Sequence, residues 1–175
     1  MRLRVLRSLV GAALVLTPVV AGCSLRRAPG PPPSPFCRGG DPLAGVYHPA
    51  RLSLRSWCRV VVGTVDRVKF EQFDGDVHIE LRLDAADRGL LSGGNDAVGG
   101  DLIVEIIPQD RSVVAVPEEG SRVEVVGPWV DDTTHGWREI HPAWAVSSGR
   151  IVPATPEELR RVQELLAGAA ADPDS

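Results

Sequence analysis

The stretch Val77-His78-Ile79-Glu80-Leu81-Arg82-Leu83-Asp84 alternates without a fault: Val77, Ile79, Leu81 and Leu83 on one side, His78, Glu80, Arg82 and Asp84 on the other. A period of two is the pattern of a strand with one face against a core. Ahead of it, Phe73-Asp74-Gly75-Asp76 carries the Asp-Gly signal of a hairpin turn. Ahead of that, Arg59 to Phe70 is rich in Val and forms the partner strand. Gly63 lies inside that run, which points to a bulge or a close backbone approach.

Outward from this hairpin, short apolar runs recur between turn signals. Residues 85–100 read as a long loop with Gly93-Gly94-Asn95 and Gly99-Gly100. Leu102 to Ile107 is an apolar strand interrupted by Glu105 and ended by Pro108. Val113 to Val116 is a further short strand, and Pro117-Glu118-Glu119-Gly120 a turn. Arg122 to Val126 is a strand ended by Gly127-Pro128, and Trp137 to Val146 is the last, broken near Pro142. Five or six strands with Gly/Pro turns and little helix predict a mainly β fold. Its expected form is a small OB-like barrel of five or six strands with a C-terminal amphipathic helix. A generic small barrel or sandwich is the alternative, because residues 109–120 lack the helix usual between the third and fourth strands. The barrel domain is expected over residues 37–152.

The helix is expected over 153–167. Thr155 is its cap, Pro156 its first residue, and Glu158 completes a capping box. Leu159, Val162, Leu165 and Leu166 make one apolar stripe, suited to packing on the barrel or to docking a partner. Residues 168–175 read as a flexible tail.

The N-terminus reads as an export signal. Arg2, Arg4 and Arg7 precede an apolar run from Leu9 to Val19, then Val20-Ala21-Gly22-Cys23. The run is too short for a transmembrane helix of about 20 residues. Cys after Ala-Gly resembles a bacterial lipoprotein signal, which implies removal of residues 1–22 and a lipid such as palmitate on Cys23. The expected place is the extracytoplasmic side of a cell membrane. A short uncleaved anchor is the alternative. Residues 23–36 are a Pro-rich linker, extended and semi-rigid. In an oxidising compartment the remaining pair, Cys37 and Cys58, is expected to form a disulfide rather than two free thiols.

Charge bears on partners. The chain has 19 basic and 23 acidic residues. Loss of residues 1–22 removes three Arg and no acid, leaving a net charge of about −7. That is the wrong sign for neutralising phosphates, so nucleic acid is not an expected partner.

Three of the four His residues fall in two motifs, Asp74-Gly75-Asp76-Val77-His78 and Asp132-Thr133-Thr134-His135-Gly136-Trp137-Arg138-Glu139-Ile140-His141-Pro142. Together with Glu105-Ile106-Ile107-Pro108, these resemble a family of uncharacterised bacterial secreted proteins and lipoproteins with an OB-like domain. The resemblance spans roughly residues 37–147, and HGWxEIHP is its most specific part. It implies the fold and the exported location, and carries no activity.

In the last strand Trp137, Glu139 and His141 share a face opposite Arg138 and Ile140. With Ile140 inward, Glu139 and His141 are expected to point outward. His78, Glu80, Glu105, His135, Trp137, Glu139 and His141 are then the candidate binding face. The leading expectation is a binding module, more a binder than an enzyme, for a small polar ligand, an envelope component or a protein partner. Imidazole plus carboxylate can also hold a divalent metal such as zinc, with His78, Glu139 and His141 as its ligands. A metal-dependent hydrolase using those three residues is thus the second reading. A purely structural envelope protein, docked by the helix at 156–167, is the third. No CxxC pair, HExxH, GxSxG or phosphate loop occurs in the sequence.

Overall fold

Strand β1, Leu52–Phe70, is the spine of the molecule, 19 residues long. Its first part pairs with β4 (Arg122–Asp132) and its second with β2 (Val77–Leu83), both antiparallel. One strand serves two neighbours because it bends around Gly63, which faces both Leu83 and Val123. A Cβ at Gly63 would lie 2.6 Å from the Arg82 carbonyl oxygen. The glycine is therefore a close-approach position, and a bulge follows between Val65 and Arg67. The computed structural model describes residues 33–171. The expected signal peptide (residues 1–22), Cys23 and most of the expected linker lie outside the described residues.

β3 (Leu102–Ile106) pairs antiparallel with β2 and parallel with β5 (Arg138–Ile140), and β5 pairs antiparallel with β4. The sheet order is β1-β2-β3-β5-β4, closed by the β1–β4 pairing, with β6 (Ala145–Val146) continuing along the edge of β4 beyond β5. That is the Greek-key connectivity of an OB-like barrel. Val61, Val65, Val77, Ile79, Leu81, Leu102, Val104, Val123, Val125 and Ile140 fill its interior. Each such side chain contributes about 1.5–3 kcal/mol on burial.

Several strand boundaries differ from the expected ones. β1 begins at Leu52, ahead of Arg59. β4 runs through Gly127-Pro128 to Asp132, because the β1–β4 ladder has an irregularity opposite Pro128, where a missing N–H costs nothing. Val113–Val116 is not a strand; only Val116 is bridged, to Arg150. The loop at 85–100 contains 3-10 turns at Arg88–Leu90 and Gly93–Val98.

The Cys37–Cys58 disulfide ties the segment before the barrel to β1, with Cα atoms 5.8 Å apart. It packs with Val126 and Trp144. The segment then crosses the outer side of the sheet, where Val46 joins Leu52, Ile107 and Val130 in a second small core. The helix α1 spans Pro156–Ala171, past the expected end at 167. Its capping box is formed: Glu158 N–H donates to Thr155 Oγ1 at 3.2 Å and Thr155 N–H to Glu158 Oε2 at 2.6 Å. Val162 is buried near Gly75 and Pro108, and Arg161 donates to the Gln72 carbonyl at 2.6 Å, so the helix braces the β1–β2 turn.

Candidate functional site

Strand alternation places His78 on β2 and Glu105 on β3 directly opposite each other, on the outer face of the barrel. Their side chains meet, His78 Nδ1 lying 3.1 Å from Glu105 Oε1. Glu139 on β5 shares that face, since it pairs with Ile103 and Val130. His141 follows two residues later and brings Nδ1 to 2.9 Å from Glu105 Oε2 and 3.0 Å from Glu139 Oε1. The other oxygen of Glu139 accepts from the Trp137 indole N–H at 2.7 Å. Asp76, at the end of the β1–β2 turn, faces the far side of the ring, its Oδ2 3.4 Å from His141 Nε2.

The expectation that Glu139 and His141 point outward into solvent fails on exposure. Both are 0% exposed, and Asp76 and Glu105 only 3% and 8%. Ile140 does face the interior, so the alternation itself holds. The outer face is roofed instead by the segment before β1, which puts the polar side of β3 and β5 inside a second layer. Glu80 also departs from the expected set. It is paired with Arg67 at 3.6 Å and lines a separate recess with Asp66 and Asp101.

Above Glu105 and His78 opens a cavity of about 530 Å³. Arg51 and His78 flank Glu105 at its floor, and Tyr47, His48, Phe73, His135 and Trp137 form its walls. Glu71 and Asp74 stand on the β1–β2 turn at its edge, Thr134 on the β4–β5 turn. These two turns and the β2–β3 face are where the OB class places its ligands. His135 stacks on Trp137 with ring centres 4.4 Å apart, and Tyr47 meets Phe73 edge to face at 5.7 Å. His48 holds a left-handed backbone (φ 50°), a strained conformation at the cavity wall.

Asp132, 1% exposed, fastens the walls together. It accepts from the Arg51 guanidinium, from His135 Nδ1 at 2.8 Å and from the Thr134 N–H at 2.7 Å. The Thr133 N–H and hydroxyl both donate to the Arg51 carbonyl, at 2.9 and 2.8 Å. The β4–β5 turn and the roofing segment are thus one hydrogen-bonded unit.

The buried groups shift one another. Burial disfavours the charged form of Glu105, but the His141 charge and bonds to His141 and His78 outweigh it and hold the carboxyl well below its usual range. Burial likewise opposes a charge on His141, yet Glu105, Asp76 and Glu139 around the ring hold it well above 6.5. His78 is raised too, by Glu105 against its own burial. Asp76 goes the other way: burial pushes it up to about 7, with His141 only partly offsetting the cost.

Of the candidates read from sequence, His78, Glu105, His135 and Trp137 line the cavity, while Glu139 and His141 lie buried and bonded to members of that set. The metal trio of His78, Glu139 and His141 is not the one assembled; among the described residues the set with ligand atoms within 4.8 Å of one another is Asp76, Glu105 and His141. Asp76, Arg51 and Asp132 were missed. Asp76 and Asp132 had a signal, since each belongs to one of the two motifs that carry the His residues; Arg51 had none. No protein family, curated protein or solved structure matches this chain. Among the described residues no helix is long and apolar enough to cross a membrane.

Proposed function

We propose that this chain is an extracytoplasmic binding module, tethered by lipid on Cys23, whose cavity takes a small polar ligand of the cell envelope. One observation carries the reading: a 530 Å³ cavity at the OB ligand face, with aromatic walls and a charged floor. Small-ligand sites share that build, apolar walls with a few fixed polar groups that set orientation. Trp137 and Tyr47 offer ring faces, and the carboxylates of Glu71, Asp74 and Glu105 accept hydrogen bonds from hydroxyl or amine donors. A polar molecule with a flat ring face, such as an envelope saccharide, suits both. The Pro-rich linker would hold the domain clear of the membrane, as the resemblance to secreted lipoproteins implies.

The acidic edge at Glu71 and Asp74 argues against nucleic acid, because single-strand binding combines aromatics with a basic groove. The test is a titration followed by Trp137 fluorescence, using envelope saccharides, small amines and, at low salt, an oligonucleotide. Saturable quenching by a saccharide or amine that disappears in Trp137→Ala supports the reading. No response to any of them at millimolar concentration defeats it. Micromolar, salt-sensitive oligonucleotide binding would mean that the partner class is wrong.

A further inference from the structure

We propose that Asp76, Glu105 and His141 bind one divalent first-row cation such as Zn²⁺ or Mn²⁺ beneath the cavity floor, with Glu139 orienting the imidazole. The site lies under the ligand cavity and does not depend on what that cavity binds. Three observations point to it. First, a ligand atom from each of the three residues lies within 4.8 Å of the other two, and all three residues are buried. One imidazole and two carboxylates form a mixed N/O set that these cations accept.

Second, His141 Nε2 is buried without a hydrogen-bond partner. It aims at Asp76 Oδ2, 3.4 Å away, beyond the ordinary hydrogen-bond range. A tetrahedral cation with bonds of about 2.1 Å sets its ligand atoms roughly 3.4 Å apart, so this pair already has the spacing of two ligands. A buried polar atom left bare costs stability unless something completes it.

Third, the opposite nitrogen is arranged as in known metal-ligating histidines. His141 Nδ1 lies between two carboxylates, 2.9 Å from Glu105 Oε2 and 3.0 Å from Glu139 Oε1, and Glu139 is itself fixed by the Trp137 indole at 2.7 Å. A carboxylate on the far nitrogen sets the tautomer and makes the near one a better donor. Glu105 belongs to both the site and the cavity above, since it lines the cavity and contacts His141.

The experiment is calorimetric titration of the full chain, stripped by chelator, with ZnCl₂ and with MnCl₂. One equivalent should bind at micromolar Kd or tighter, with a rise in Tm. Asp76→Asn should weaken binding by roughly 100-fold, and Glu139→Gln, acting only through the imidazole, by about 10-fold to 100-fold. Asp84→Asn, at the exposed pair with Arg122, should bind as the parent does. Should the buried variants fail to fold, anomalous scattering from Mn²⁺-soaked crystals of the parent locates the cation directly. A peak between Asp76 and His141 Nε2 upholds the site. No stoichiometric cation, an unchanged affinity in a folded Asp76→Asn, or a peak elsewhere overturns it.

Discussion

Asn95 holds Arg138 as a neighbouring strand would: its side-chain nitrogen donates to the Arg138 carbonyl at 2.9 Å, and its oxygen accepts the Arg138 N–H at 3.0 Å. The same side chain donates to the Asp101 carbonyl at 2.8 Å and accepts from the Ser92 N–H at 2.9 Å. Asn95 is 0% exposed, so no water can replace these bonds. It fixes the start of β5, one residue before Glu139. Asn95→Ala should destabilise the fold by about 3 kcal/mol, since it strands several buried backbone groups at once. Denaturant unfolding should show a lower midpoint with an unchanged slope. A loss under about 0.5 kcal/mol would mean that the loop repacks.

The Cys37–Cys58 bridge closes a loop with a sequence separation of 21. In the chain-entropy account a loop of that length is worth about 3 kcal/mol. Cys37→Ser with Cys58→Ser should therefore lower the unfolding midpoint to that extent. Part of the loss should appear at the cavity, because the bridged segment leads to Tyr47, His48 and Arg51. Thiol labelling of both cysteines in the folded, unreduced parent would contradict the bridge.

The barrel was legible because its inward faces repeat with period two, as at Val77–Leu83, and because Gly63 and Gly75 mark a close approach and a turn. The disulfide followed from cysteine arithmetic once the export signal had claimed Cys23 and implied an oxidising compartment. What the sequence hid is the roof. Residues 41–51 have no period, so nothing in them announces that Val46 will pack on Ile107 and Val130 over the outer face, where Glu139 and His141 are buried. A strand pattern says which side a residue faces, and a second layer decides whether that side meets water. Asn95 was hidden for a related reason: it works through backbone groups 43 residues away, and no local rule reports such a contact.

Anchoring rests on Val20-Ala21-Gly22-Cys23 after a short apolar run. Cys23→Ala should move the protein out of the membrane fraction or leave it as a precursor of full length. Fractionation with a gel shift distinguishes the two. Membrane retention of a normally sized mature form would contradict lipidation.

Acid should loosen α1. The Glu158 carboxyl is held below its ordinary value of 4.5, chiefly by the Thr155 N–H, which with Arg111 outweighs the cost of burial. A depressed carboxyl stabilises the fold above its unfolded pKa, and that contribution fades as pH falls through the lower folded value. Glu158 is about one-third exposed, so solvent screening keeps the effect modest. Arg111 is nearly buried and also donates to the Val152 carbonyl at 3.1 Å, so protonating Glu158 leaves a buried guanidinium with fewer acceptors. Circular dichroism should show helix signal falling below about pH 4, ahead of the loss of barrel signal. Glu158→Gln should remove that early step and lower the helix signal at neutral pH. An identical acid profile in parent and variant would assign the transition to other carboxylates.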